Sequence, residues 1–220
     1  MRKKMFVFVS LAIVLFLPCA GFASDHDAAV VLDEDAAGYV IRSDNSSRYV
    51  ASEEDLLVIN AMIEEDADVS LGEILLAVCP QMLYRSEKAE ELFKIPFLNE
   101  DVQSQNANRN AIARNLPGLG SSTIQRYGAS LKGTSTSTRP GGARAYWLLA
   151  GTRLRSSGGQ VYGYVQEEAS NVSSVTATTV VDPPNGSYCT EGIHYYIPSS
   201  DPGDHHYDDA SYSQYISYYR

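Results

Sequence analysis

The spacing of apolar residues changes once along this chain, and that change limits the fold class. Between residues 51 and 96 apolar side chains recur every three or four positions; from Ala143 to Ile197 they alternate. The first period belongs to helices with one buried face and the second to strands. Together they predict an α+β fold: a small N-terminal helical segment, then an antiparallel β meander or small sandwich, then a disordered C-terminal tail.

The helical segment, 51–96, carries its own start signals. Ser52 can cap a first helix, with Asp55 three residues on in a variant of the capping box. Leu56, Leu57, Ile59, Asn60, Met62 and Ile63 give its apolar face. Ser70 and Glu73 repeat the signal for a second helix, whose stripe is Leu71, Ile74, Leu75, Val78 and Leu83. Pro80 is expected to end or kink it. A third helix is expected over 86–94, stopped by Pro96. The preceding segment, 24–50, reads as mobile apart from a short strand at Gly38–Ile41 and a turn at 44–47.

Residues 97–142 read as an irregular, linker-like region, because Ser, Thr, Gly and Pro dominate its end. The β module, 143–197, follows. Its strands are expected over 143–155, 160–167, 172–181 and 188–197. Asp182-Pro183-Pro184-Asn185-Gly186 reads as a hairpin connection. Residues 198–220 hold Ser, Asp, His and Tyr with too few aliphatic residues for a core, so disorder is expected there.

The start of the chain has the order of a secretory signal peptide over 1–23. Arg2, Lys3 and Lys4 precede an apolar run from Met5 to Leu17, and small residues flank Phe22 before an expected cleavage between Ala23 and Ser24. The run is shorter than the roughly 20 residues a spanning helix needs. The mature chain is therefore expected to be secreted or extracellular, from a bacterium, with no transmembrane segment. Its charge supports no nucleic-acid partner. The full chain carries −10, and losing three basic residues takes it to −13, which repels phosphate backbones.

Candidate chemistry is sparse. Tyr162 and Tyr164 are expected on one sheet face and the adjacent Tyr195 and Tyr196 on opposite faces. Exposed rings of this kind stack on sugars or pack against proteins, whereas buried ones build the sheet core. Cys79 and Cys189 survive cleavage; in an oxidising compartment they form one disulfide or remain two free thiols. Asp204, His205 and His206, with help from His194, offer ligands to a divalent metal. No nucleophile elbow, zincin, phosphate-loop or dinucleotide motif is present, and no cofactor is expected. The leading expectation is a non-catalytic exported protein that binds a cell-wall glycan or a surface protein. A secreted hydrolase with His194 or a carboxylate pair in a cleft is the alternative. A structural component of a cell-surface assembly, docking through Glu53, Glu54 and Glu64, is the third.

Overall fold

The computed structural model describes residues 37–44, 46–86, 88–97, 120–198 and 207–220. The expected signal peptide, with Ala23 and Ser24, lies outside the described residues. So does the Asp204, His205 and His206 cluster.

The fold is α+β, with strands that are antiparallel throughout. Strands β1 (Gly38–Ile41) and β2 (Ser47–Val50) pair as a hairpin. Its turn is closed by Asp44, whose Oδ1 accepts from the backbone N–H and hydroxyl of Ser46 at 2.9 and 2.6 Å. Helices α1 (Glu53–Glu65) and α2 (Leu71–Val78) follow, and both open with complete capping boxes. Ser52 pairs with Asp55 and Ser70 with Glu73, each side chain bonding the other residue's backbone N–H. Pro80 does not kink α2. It occupies the first turn of a separate helix, α3 (Pro80–Arg85), where a missing N–H costs nothing. The expected third helix shrinks to one turn, α4 (Ala89–Leu92).

The larger departure lies in the linker-like region. Gly120–Tyr127 forms β3 and Ser130–Thr138 forms β4. Threonine favours strands, and an alternation of inward Leu131, Gly133, Ser135 and Ser137 with outward Lys132, Thr134, Thr136 and Thr138 runs through β4. The polar character of its inward residues hid the strand.

Strands β5 (Ala145–Ser156), β6 (Val161–Val172), β7 (Ser174–Val181) and β8 (Gly186–Ile197) match the expected β module. Their connectivity is not a meander. One sheet has the order β1-β2-β6-β5-β8, and a three-stranded sheet has the order β3-β4-β7. The chain changes sheets just after Asn171, which takes a left-handed φ of 58° near the end of β6. It changes back at Asp182–Gly186. That segment is not a hairpin turn, because β7 pairs with β4 and β8 with β5.

The tail also departs from expectation. Tyr207–Tyr212 forms β9 and Ile216–Tyr218 forms β10, both paired with β8. A strand added to an existing edge needs a row of free backbone groups more than aliphatic residues of its own. With them the large sheet has seven strands.

The large sheet is the middle layer. One face packs against the helices through Trp147, Leu149, Tyr164, Ile193 and Tyr195, against Ile59, Leu71, Ile74, Leu75 and Met82. Full burial of each such aliphatic side chain is worth about 1.5–3 kcal/mol. Asn60 fastens α1 to the start of β6, donating to the Val161 carbonyl at 2.9 Å and accepting from its N–H at 2.8 Å. The other face packs against the small sheet through two apolar clusters, one around Leu148, Ala150, Val165 and Ala177 and one around Leu131, Leu154, Tyr188 and Tyr218. No described helix is long and apolar enough to cross a membrane.

Candidate functional site

The small sheet has two unlike faces, and alternation along its strands explains both. Its inward face carries glycine and hydroxyls. A Cβ at Gly133 would lie 2.6 Å from Thr190 Oγ1, and one at Gly163 on β6 would lie 2.5 Å from Thr179 Oγ1. The sheets approach this closely because those positions have no side chain.

A hydrogen-bond chain crosses the same seam. Ser137 Oγ donates to the Leu149 carbonyl at 2.6 Å, so it must accept from His194 Nδ1 at 2.8 Å. His194 Nε2 meets Ser211 Oγ at 2.6 Å, and Ser211 meets Ser122 at 2.6 Å. Ser122 meets Ser135 at 2.9 Å, and Ser135 donates to Thr152 at 3.0 Å. Burial lowers the His194 pKa to about 4, so the imidazole is neutral at pH 7 and its Nε2 accepts from Ser211. That assignment directs the Ser122 proton to Ser211 and the Ser135 proton to Thr152. No proton is left for the Ser122–Ser135 contact. A charged imidazole would reverse the bonds at Ser211 and Ser122 and complete the chain.

His194 is 1% exposed and lies between the two sheets. Among the described residues no group of three or more His, Cys, Asp or Glu side chains is placed to hold a metal ion.

The outward face of the small sheet is the candidate binding surface. Across it run the rows Ser121–Thr136–Thr176, Thr123–Thr134–Thr178 and Gln125–Lys132–Val180, set by the strand registers. Spacings of about 4.8 Å between strands and about 7 Å along them make this a grid of hydroxyls and methyls. The threonines bond in cross-strand pairs, Thr136 to Thr176 at 3.0 Å and Thr134 to Thr178 at 3.4 Å. Lys132 is the charged residue of these rows and stands over the Tyr127 ring, 5.6 Å from its centroid. The sequence held the signal in Thr134-Ser135-Thr136-Ser137-Thr138, where Thr recurs at strand spacing.

The tyrosines weighed as either a sugar-stacking face or a sheet core lie elsewhere. Tyr164, Tyr195 and Tyr196 are buried. Tyr164 packs edge-on against Phe97 and Tyr49, and Tyr195 against Trp147. Tyr162 and Tyr164 do not share a face. A register irregularity at Leu154/Arg155 takes Tyr162 out of alternation, and it packs against Tyr188.

Cys79 and Cys189 are two free, buried thiols, the second of the two alternatives the sequence left open. Cys79 ends α2 beside Tyr39 and Tyr49, whereas Cys189 lies on β8 beside Tyr215. From β2 to β8 is three strand spacings, about 14 Å, and a bridge needs its Cα atoms within about 7 Å. Burial pushes both thiols up to about 11, which leaves neither as a ready nucleophile.

No family model matches the chain, and no curated protein or solved structure matches it.

Proposed function

We propose that this chain is an exported, non-catalytic binding protein that lays the outward face of the small sheet against a neutral, hydroxyl-bearing polymer of the cell-wall glycan type. The observation that carries the proposal is the composition of that face. In a chain of net charge −10, rows of Ser and Thr run across three strands with no carboxylate among them. Each hydroxyl can donate and accept, and each threonine adds a methyl. Such a grid suits sugar hydroxyls and ring C–H groups, and Lys132 is the single charge in its rows, too few to hold an ionic polymer by charge alone. The rigid seam behind it holds the grid in place, which limits the ordering cost of binding. Export rests on the signal-peptide pattern of residues 1–23. The non-catalytic part is supported by the burial of His194 and by the raised pKa values of both thiols.

Sedimentation with insoluble chitin, cellulose and peptidoglycan tests the proposal. The wild-type protein is expected to pellet with at least one of them. The double variant Thr136→Glu/Thr178→Glu, altered at partly exposed positions, should lose at least tenfold in retention. Leu57→Glu, on the helical layer, should bind as wild type. Equal retention of the double variant, or no wild-type binding, rules the proposal out.

A second reading places a protein partner on the helical layer. Leu57, Leu76 and Tyr84 are exposed there, with Leu57 at 72% and Tyr84 at 76%. The acidic residues Glu53, Glu54 and Glu64 are exposed on α1 beside them. Loss of surface association in Leu57→Glu, with glycan binding kept, would favour this reading.

A further inference from the structure

The helix-facing side of the large sheet buries charge in two places: at Glu168, which accepts from the hydroxyls of Ser47 and Ser86, and around Arg153. Arg153 and Arg155 project from β5 on that face, and Glu191 projects beside them from β8. All three are buried, Arg153 and Glu191 to 1% exposure. Glu191 stands between the guanidinium groups, 3.3 Å from Arg153 Nη2 and 3.1 Å from Arg155 Nη1. One carboxylate thus faces two cations. A buried charge is tolerated when it is paired and hydrogen-bonded, and here the count is one negative charge short.

The hydrogen bonding is short as well. Arg153 Nε and Nη1, Arg155 Nε and Gln166 Nε2 find no partner among the described residues, and both Glu191 oxygens make ion pairs without hydrogen bonds. Gln166 is fully buried, and its Oε1 is already taken by the Tyr164 hydroxyl at 2.5 Å. The free amide N–H groups are therefore what Gln166 offers to its surroundings. Gln166 lies across β6 from Gly151, and Gly151 precedes Arg153 on the same face of β5. Gly151 itself has no side chain, and the Ile193 side chain packs over it, 3.3 Å from where a Cβ would stand. Phe97 covers the cluster from the helical side, with its ring centroid 4.7 Å from Arg153 Cζ.

We infer that Arg153, Arg155 and Gln166 form a buried site for a small oxyanion, a carboxylate or a phosphate. Guanidinium forks match the paired oxygens of either group. The amide supplies a neutral donor, and the Phe97 ring keeps water away, which strengthens each contact. The anion supplies the negative charge that Glu191 alone does not. The site lies on the opposite face of the large sheet from the glycan-binding surface and does not depend on it.

Thermal unfolding of the full chain at pH 7 tests the inference. Sodium acetate and sodium phosphate are each compared with sodium chloride at equal ionic strength. Saturating anion should raise the midpoint about 5 °C or more above the chloride value. A rise in acetate alone identifies a carboxylate site, a rise in phosphate alone a phosphate site, and a rise in both a general oxyanion site. Arg153→Met should abolish the rise, and Arg144→Met, on the surface, should keep it. No rise above chloride in either salt overturns the inference, as does a rise that Arg153→Met retains. Should Arg153→Met fail to fold, the isosteric Glu191→Gln decides. It removes the competing carboxylate and should tighten the apparent anion affinity at least threefold; an unchanged affinity overturns the site.

Discussion

His194 concentrates several consequences in one side chain. Its folded pKa of about 4 lies below the ordinary value of 6.5 because burial penalises the charged ring. The unfolded chain therefore binds the proton more tightly. The contribution is fully present above pH 6.5 and is lost as pH falls towards 4, about 3 kcal/mol across the window. The groups bonded to the ring are hydroxyls, which soften but do not neutralise an imidazolium. Urea unfolding at pH 7 and pH 4.5 should show the loss, and His194→Gln should flatten it; an unchanged slope between the two proteins would refute this assignment. The thiols give a second prediction. Iodoacetamide at pH 8 should label neither Cys79 nor Cys189 in the native protein and both in urea without reductant. Resistance in urea would mean a bridge. Neither residue's state was legible in the sequence, because a count of two cysteines says nothing of the strands between them. The role of His194 was equally hidden, since its serine partners come from β3, β4 and β9.

At the level of elements, legibility followed the size of the inward side chains. Helices α1 and α2 were readable because Leu and Ile mark their buried faces and Ser52 and Ser70 mark their starts. Replacing either cap with alanine should cost about 1 kcal/mol, seen as a drop of roughly 2–4 °C in the unfolding midpoint. Strands β3 and β4 were not readable, because only Leu131 and Ile124 are aliphatic among inward positions otherwise held by Gly133, Ser122, Ser135 and Ser137. The Ser/Thr grid was lost with them, since a face cannot be seen before its strand is. The close seam that made those residues small has its own test. Gly163→Ala would place a methyl 2.5 Å from Thr179 Oγ1 and 2.6 Å from Val181 Cγ1, and overpacking of this kind costs about 1–3 kcal/mol. Chemical denaturation should show that loss. A neutral outcome would mean that the sheets can part at this point.

For the whole molecule, the large sheet divides the work. Its helical side is sealed by aliphatic and aromatic packing around the Arg153 cluster and Glu168, and its other side carries the small sheet that displays the polar grid. The sequence showed the two classes of element and the approximate break between them, but not that the strand-rich half divides into two sheets. That division depends on a left-handed Asn171 and on a Pro-rich return at Asp182–Gly186, features whose geometry is set by what they join. The C-terminal strands have a further consequence. Residues 186–188 of β8 pair with β10 and residues 191–196 with β9, so the final segments together occupy most of one side of a twelve-residue strand. A chain shortened before Tyr207 would leave that row of amides and carbonyls open to a neighbouring copy. Shortened forms should self-associate through strand exchange at concentrations where the intact protein does not, and a synthetic peptide of residues 207–220 should suppress it. Residues 207–220 would then act as an internal chaperone, with β8 open to misassembly until they pair with it.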